Sequence, residues 1–242
     1  MRKHQTFKTL FICIIAFICC GNLAAGESEK PASLEQQVEG LWLYTGLTTS
    51  GGEDLPLNGI FLFKNGFFIQ YAEFDGEPIK DQGSMSHTGP YSSSPEFIHL
   101  IANQTLSTAP LEDKPLNSNG LTEHDITVTR TGDNLTLIFS KGTGTEQYFE
   151  LAGPGEGEVY NLPNGALALV DGRFIMVDGN ETAVVAGYGT YEKDGDSLQL
   201  NVYRWTEADP SSASNLYDTV LQATFDGKAL TLEDGRSFQV TP

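Results

Sequence analysis

Gly59-Ile60-Phe61-Leu62-Phe63-Lys64-Asn65-Gly66-Phe67-Phe68-Ile69 consists of two short apolar and aromatic runs separated by Asn-Gly. Both runs are rich in strand-favouring residues, and Asn-Gly supplies the two positive φ angles of a tight hairpin. The stretch therefore predicts an antiparallel hairpin. About a hundred residues on, Gly165-Ala166-Leu167-Ala168-Leu169-Val170-Asp171-Gly172-Arg173-Phe174-Ile175 has the same shape: glycine, five mostly apolar residues, turn, glycine, apolar run.

The correspondence continues in order. Gly89-Pro90-Tyr91 matches Gly189-Thr190-Tyr191, Phe97-Ile98-His99-Leu100 matches Leu198-Gln199-Leu200-Asn201, and Leu135-Thr136-Leu137 matches Leu230-Thr231-Leu232. The offset drifts from 106 to 100 to 95 residues, so the first copy carries the longer loops, chiefly around Thr108 to Gly120. Ordered matching of this length reads as an internal duplication.

Alternating runs closed by Gly, Asn, Asp or Pro give about eight strands in the first copy: Leu41 to Thr45, Gly59 to Phe63, Phe67 to Phe74, Met85 to Tyr91, Phe97 to Leu106, Glu123 to Arg130, Asn134 to Ser140 and Gln147 to Leu151. The second copy reads the same way. Asn65-Gly66, Asp75-Gly76, Asn164-Gly165, Asp171-Gly172, Asp226-Gly227 and Asp234-Gly235 are all expected to be two-residue hairpin turns. The one helix expected runs from Ala32 to Glu39, with Leu34 and Val38 on one face and Ser33 as its cap. The predicted fold is all-β: two tandem antiparallel barrels of about eight strands each after a short N-terminal helix. Such barrels lose their exposed edges on closure and can hold one small ligand.

Residues 1–25 have the charged, apolar and small-residue zones of a secretory signal peptide, from Arg2, Lys3 and Lys8 through Leu10 to Cys20 to Leu23-Ala24-Ala25. The protein is thus expected to be secreted or periplasmic, with a linker and helix over 26–39, a first repeat over 40–153 and a second over 154–242. Acylation of Cys19 or Cys20 would instead tether it to a membrane. All three cysteines fall in the leader, so the mature chain has no thiol for a disulfide, a metal or a nucleophile. The net charge of −18 becomes −21 once the leader's three cations are removed, a field that repels nucleic acid.

Gly40-Leu41-Trp42, after a short helix and at the start of the first strand, resembles the Gly-x-Trp opening of the lipocalins and the wider calycin group. The resemblance implies that Trp42 plugs the closed end of a barrel whose open end admits a small, often apolar molecule. No Arg late in the last strand of the first copy stands ready to stack on Trp42, and the second copy opens at Gly157-Glu158-Val159-Tyr160 without a Trp.

His87, His99 and His124 all lie in the first copy. His124 alternates with Ile126 and Val128 and is expected to face the barrel interior, whereas His99 shares a face with Phe97 and Ile101. Without a short His-x-His or His-x₃-His spacing, no metal site is expected, and no motif calls for a cofactor. Tyr203-Arg204-Trp205-Thr206-Glu207 reads as an aromatic and cationic rim before the Pro210-Ser211-Ser212 loop. Asn103-Gln104-Thr105, Asn134-Leu135-Thr136 and Asn180-Glu181-Thr182 fit the glycosylation pattern.

Three functions follow. The first is an exported protein that binds a small apolar or amphipathic molecule in the first barrel, with Trp42, His99, His124, Arg204 and Trp205 as ligand-binding residues. The second is a cofactor-independent cyclase or isomerase in which His124 transfers a proton and Tyr91 or Arg204 steadies charge. The third is a cell-envelope interaction protein with a filled barrel, docking a partner through Phe68 or Phe74. The sequence leaves the oligomeric state open. The Phe61 to Phe74 strands, greasy on both faces, are expected to be covered on one side by the second copy or by another subunit.

Overall fold

Asn65 and Gly66 both have positive φ, 51° and 76°, and Asp171 and Gly172 repeat this at 49° and 70°. These two turns close the hairpins on which each half of the molecule is built. The computed structural model describes residues 32–139 and 144–241. The signal peptide, with Cys19 and Cys20, lies outside the described residues.

The first sheet contains β1 (Gly40–Thr48), β2 (Asp54–Leu55), β3 (Leu57–Lys64), β4 (Phe67–Phe74), β5 (Ser84–Ser93), β6 (Ile98–Ala102), β7 (Gln104–Thr108), β8 (Leu116–Ser118), β9 (Thr122–Thr131), β10 (Asn134–Phe139) and β11 (Glu146–Gly153). Eight of these close a barrel in the order β1-β3-β4-β5-β6-β9-β10-β11, with β11 returning to β1. The second sheet is an eight-stranded meander of β12 (Gly157–Leu162), β13 (Gly165–Val170), β14 (Arg173–Gly179), β15 (Val184–Asp194), β16 (Ser197–Asp209), β17 (Ser212–Phe225), β18 (Ala229–Leu232) and β19 (Ser237–Gln239). It is nearly closed, with the Thr241 N–H donating to Asn161 O of β12 at 2.9 Å. Each pair of segments matched in the sequence occupies the same place in its barrel: β3 and β13, β5 and β15, β6 and β16, β10 and β18.

The structure adds the short strands β2 and β8 to the expected list and divides one of its runs. The run from Phe97 to Leu106 is two strands, because β5 has two partners on one side: Tyr91–Ser93 pair with β6, and Ser84–Thr88 pair with β7. Gly89 lies between these partners, and a Cβ there would meet Ile101 O at 1.9 Å, so only glycine admits the corner. The hairpin β7–β8 then lies beside the barrel wall.

The turn expectations are also corrected. Neither residue of Asp75-Gly76 or Asn164-Gly165 has a positive φ, and Asp226-Gly227 and Asp234-Gly235 lie in longer loops, with Phe225 pairing with Leu230 and Leu232 bonding to Arg236. At Asn164-Gly165, Leu162 pairs with Gly165, so the turn residues are Pro163 and Asn164, and proline cannot adopt the φ a primed turn needs.

The helix α1 (Leu34–Val38) has Ser33 and Gln36 in a reciprocal capping box. It closes the Trp42 end of the first barrel, where the Trp42 indole donates to Val38 O at 2.7 Å. The Arg130 guanidinium lies 4.9 Å from the Trp42 ring and donates to Gln37 O. The stacking cation therefore comes from β9, not from the last strand, where none was found.

Inward-facing Trp42, Phe61, Phe63, Phe68, Leu137 and Phe149 fill the first barrel, and Leu167, Phe174, Met176, Leu200, Trp205 and Phe225 fill the second. A third apolar layer joins the barrels. Ile60, Leu62, Ile69 and Tyr71 from the outer faces of β3 and β4 meet the smaller Ala166, Ala168, Val177 and Ala186 of the second barrel. Each fully buried large apolar side chain stabilises by about 1.5–3 kcal/mol, so the greasy outer face of the first hairpin is a seam and not an exposed patch.

Candidate functional site

A line of polar side chains threads the apolar interior of the first barrel. Tyr44 OH donates to Gln147 Oε1 at 2.8 Å, Gln70 Nε2 donates to the Tyr44 oxygen, and Gln70 Oε1 pairs with His87 Nε2. That pairing makes Nε2 the protonated nitrogen of His87, leaving Nδ1 to accept from Thr105 at 3.4 Å; Thr105 in turn contacts Thr122 at 2.7 Å. Burial, followed by the nearby His124, pulls the pKa of His87 down to about 3, so the ring is neutral in this line. Every member has a partner in the protein, and the line spends its hydrogen bonds on itself.

The residues singled out from the sequence do not converge. His124 points inward as its parity requires, half-buried, edge-on to Phe139, and with a pKa lowered by burial and His99. Tyr91 also points inward. Both pair with Leu100, from opposite sides of β6, and the Tyr91 hydroxyl donates to Glu39 Oε1 at 3.2 Å. His99 lies on the outer face of the barrel, 2.8 Å from Asp125 Oδ1 and 3.9 Å from Glu123.

Trp42 and Trp205 have no exposed surface. The expected rim around Tyr203 to Glu207 is instead the interior of the long strand β16. Trp205 faces the second barrel core and donates to Glu207 Oε1 at 2.7 Å, while Arg204 reaches into the seam, 2.8 Å from Glu73. Among the described residues no group of three His, Cys, Asp or Glu is placed to hold a metal ion.

A cleft of about 500 Å³ opens at the other end of the same seam. The first barrel contributes Phe67, Thr88, Asn103 and Gln104, and the second contributes the β12–β13 turn with Asn161, Pro163 and Asn164, then Asn180 and Glu181. Thr241 completes it. Five carboxamides thus gather at strand ends that the sequence leaves far apart. Gln104 Nε2 reaches Asn164 O across the cleft at 3.5 Å, and Asn180 Oδ1 caps its own turn through Thr182 and Ala183. The side chains of Asn103, Asn161 and Asn164 bond to no other described residue.

A second cleft of about 510 Å³ lies between β2 and β11. Its polar groups are already joined, since Thr48 Oγ1 donates to Asp54 at 2.7 Å and contacts the Tyr148 hydroxyl at 3.2 Å. The seam cleft is therefore the better candidate, with unused donors and acceptors beside an aromatic ring.

Sequence reasoning missed this cleft because its parts read as turn residues and as two of the three glycosylation patterns. The one available signal was the recurrence of Asn at turns in both copies. Compared with protein-family models, with curated proteins and with solved structures, the chain matches none. The tandem barrel fold is compatible with a ligand-binding protein.

Proposed function

We propose that the protein is an exported binding protein of lipocalin-like fold that holds a small amphipathic molecule in the cleft between its barrels. The observation that carries this reading is the contrast between the two places. The interior of the first barrel is packed with aromatic side chains and a self-satisfied polar line, whereas the seam cleft presents unpaired carboxamides beside Phe67. Export rests on the leader over residues 1–25. The enzymatic alternative rests on His124, but Tyr91 is committed to Glu39 and leaves that histidine without a second reacting group.

Amide chemical-shift mapping with a panel of bile salts, lysolipids, terpenoids and short oligosaccharides tests the location. The expected result is a set of shifts at Phe67, Gln104 and Asn164. Shifts confined to Ile126, Val128 and Leu137 would return the site to the first barrel interior.

A second reading, an envelope interaction protein, draws on the filled barrels and on an exposed apolar strip. Tyr203, Tyr217 and Val220 of the long β16–β17 ribbon are 39%, 44% and 50% exposed. Phe74 is exposed as that reading requires, while Phe68 is buried inside the first barrel.

A further inference from the structure

We infer that the seam cleft recognises a neutral saccharide, an inference that rests on the cleft being the binding site. A carboxamide offers a donor pair and an acceptor side by side, and each sugar hydroxyl both donates and accepts, so the two match without any charge. Asn103 at the β6–β7 corner, Asn161 near the end of β12 and Asn164 in the β12–β13 turn present these groups from opposite walls. None of the three side chains is bonded to another described residue, so a ligand need break no protein contact to reach them. The Gln104 contact across the cleft is 3.5 Å long and yields easily.

The apolar part of the cleft fits the same ligand. Phe67 is half-buried, and with Pro163 it offers a flat surface for the C–H face of a sugar ring, leaving the hydroxyl edge to the carboxamides. Charge excludes the alternatives. No Lys or Arg lines the cleft and the chain carries −18, which disfavours an anionic ligand, while the single carboxylate, Glu181, is too little for a cation. The volume of about 500 Å³ lies within the range of small-molecule sites and suits a short oligosaccharide. Since both barrels supply the walls, the site exists only where the two copies pack together, and neither copy holds it alone.

The test is calorimetric titration of the full chain with gluco-, manno-, xylo- and N-acetylglucosamine tetrasaccharides, combined with amide shift mapping. One series is expected to bind with Kd of about 1 mM or tighter. Raising salt from about 0.05 to about 0.5 M should leave that affinity unchanged, because no ion pair is screened. Asn103→Ala and Asn161→Ala should each weaken it by about tenfold, with an unaltered unfolding temperature because both side chains are exposed and unbonded.

Binding that ignores both substitutions would overturn the assignment. If no saccharide binds but cholate or a lysolipid shifts the Gln104 and Asn164 amides, the saccharide inference fails and the seam site stands. If no probe moves those amides, both fail together.

Discussion

Arg204→Met will destabilise the folded chain by about 1–2 kcal/mol near pH 8, because the Glu73 carboxyl left alone in the seam must take up a proton to stay buried. Glu73 has no exposed surface, and Arg204 is its only cationic partner among the described residues, with Nε 2.8 Å from Oε2. The distance is that of an ion pair, yet the guanidinium N–H is not directed at the oxygen, and both carboxylate oxygens lack a well-formed hydrogen bond. Burial therefore outweighs the attraction of Arg204, and with a smaller push from Asp75 it raises the Glu73 pKa to about 7.

The sign follows from proton uptake. Between the ordinary pKa of 4.5 and about 7 the folded state holds the proton more tightly than the unfolded one, so stability falls as pH rises through that window. Without Arg204 the folded carboxyl holds its proton to still higher pH. The penalty of Arg204→Met should shrink towards pH 4.5, and adding Glu73→Gln should recover most of it at pH 8. Urea midpoints of the single and double variants at both pH values check this. An equal penalty at pH 4.5 and pH 8 would mean that Arg204 acts through packing alone.

The second large effect lies in acid. With its pKa drawn down to about 3, His87 stays neutral in the folded barrel over a range in which an unfolded histidine, at 6.5, is protonated. The unfolded state binds the extra proton there, so the contribution of His87 is full above pH 6.5 and is lost as pH falls towards 3, on the order of 5 kcal/mol in all. Gln70, Thr105 and the ring of Phe68 surround the imidazole, and His124 is the one titratable neighbour opposing its charge. His87→Gln should cost about 1–2 kcal/mol at pH 7.5 through the disturbed hydrogen bonds. It should also flatten the acid limb. The stabilities of the two proteins measured from pH 7.5 to 4 should converge and cross at about pH 5–6, and parallel curves would rule His87 out as the titrating group.

Much of the fold is legible in period-two patterning and in a few turns. Asn65-Gly66 and Asp171-Gly172 mark both founding hairpins, because two adjacent positive φ angles leave few residue choices. The parity of His124 with Ile126 and Val128 places it inward correctly. What the sequence hides is partner choice across strands. Nothing local says that β5 is shared between β6 and β7, or that Arg130 of β9 reaches Trp42. The cleft is hidden for the same reason: Asn103 and Asn164 become neighbours only through the packing of Ile69 and Tyr71 on Ala166 and Ala168, some hundred residues apart. Trp205 misleads because an aromatic near a predicted loop looks like a rim until the strand proves to run on to Asp209.

The two barrels close in different ways, and this bears on the order in which they form. From β12 to β19 every strand pairs with the one that follows it, whereas the first barrel is completed only when Trp42 meets Leu151. Bringing together segments more than a hundred residues apart costs far more chain entropy than zipping one hairpin onto the next. The C-terminal meander should therefore gain structure early during refolding and the N-terminal ring late. Pulsed hydrogen exchange should find amides of β15 and β16 protected before those of β1 and β11. A chain that emerges N-terminus first would then spend its most vulnerable interval with Trp42, Phe61 and Phe63 uncovered, waiting for β11 to arrive.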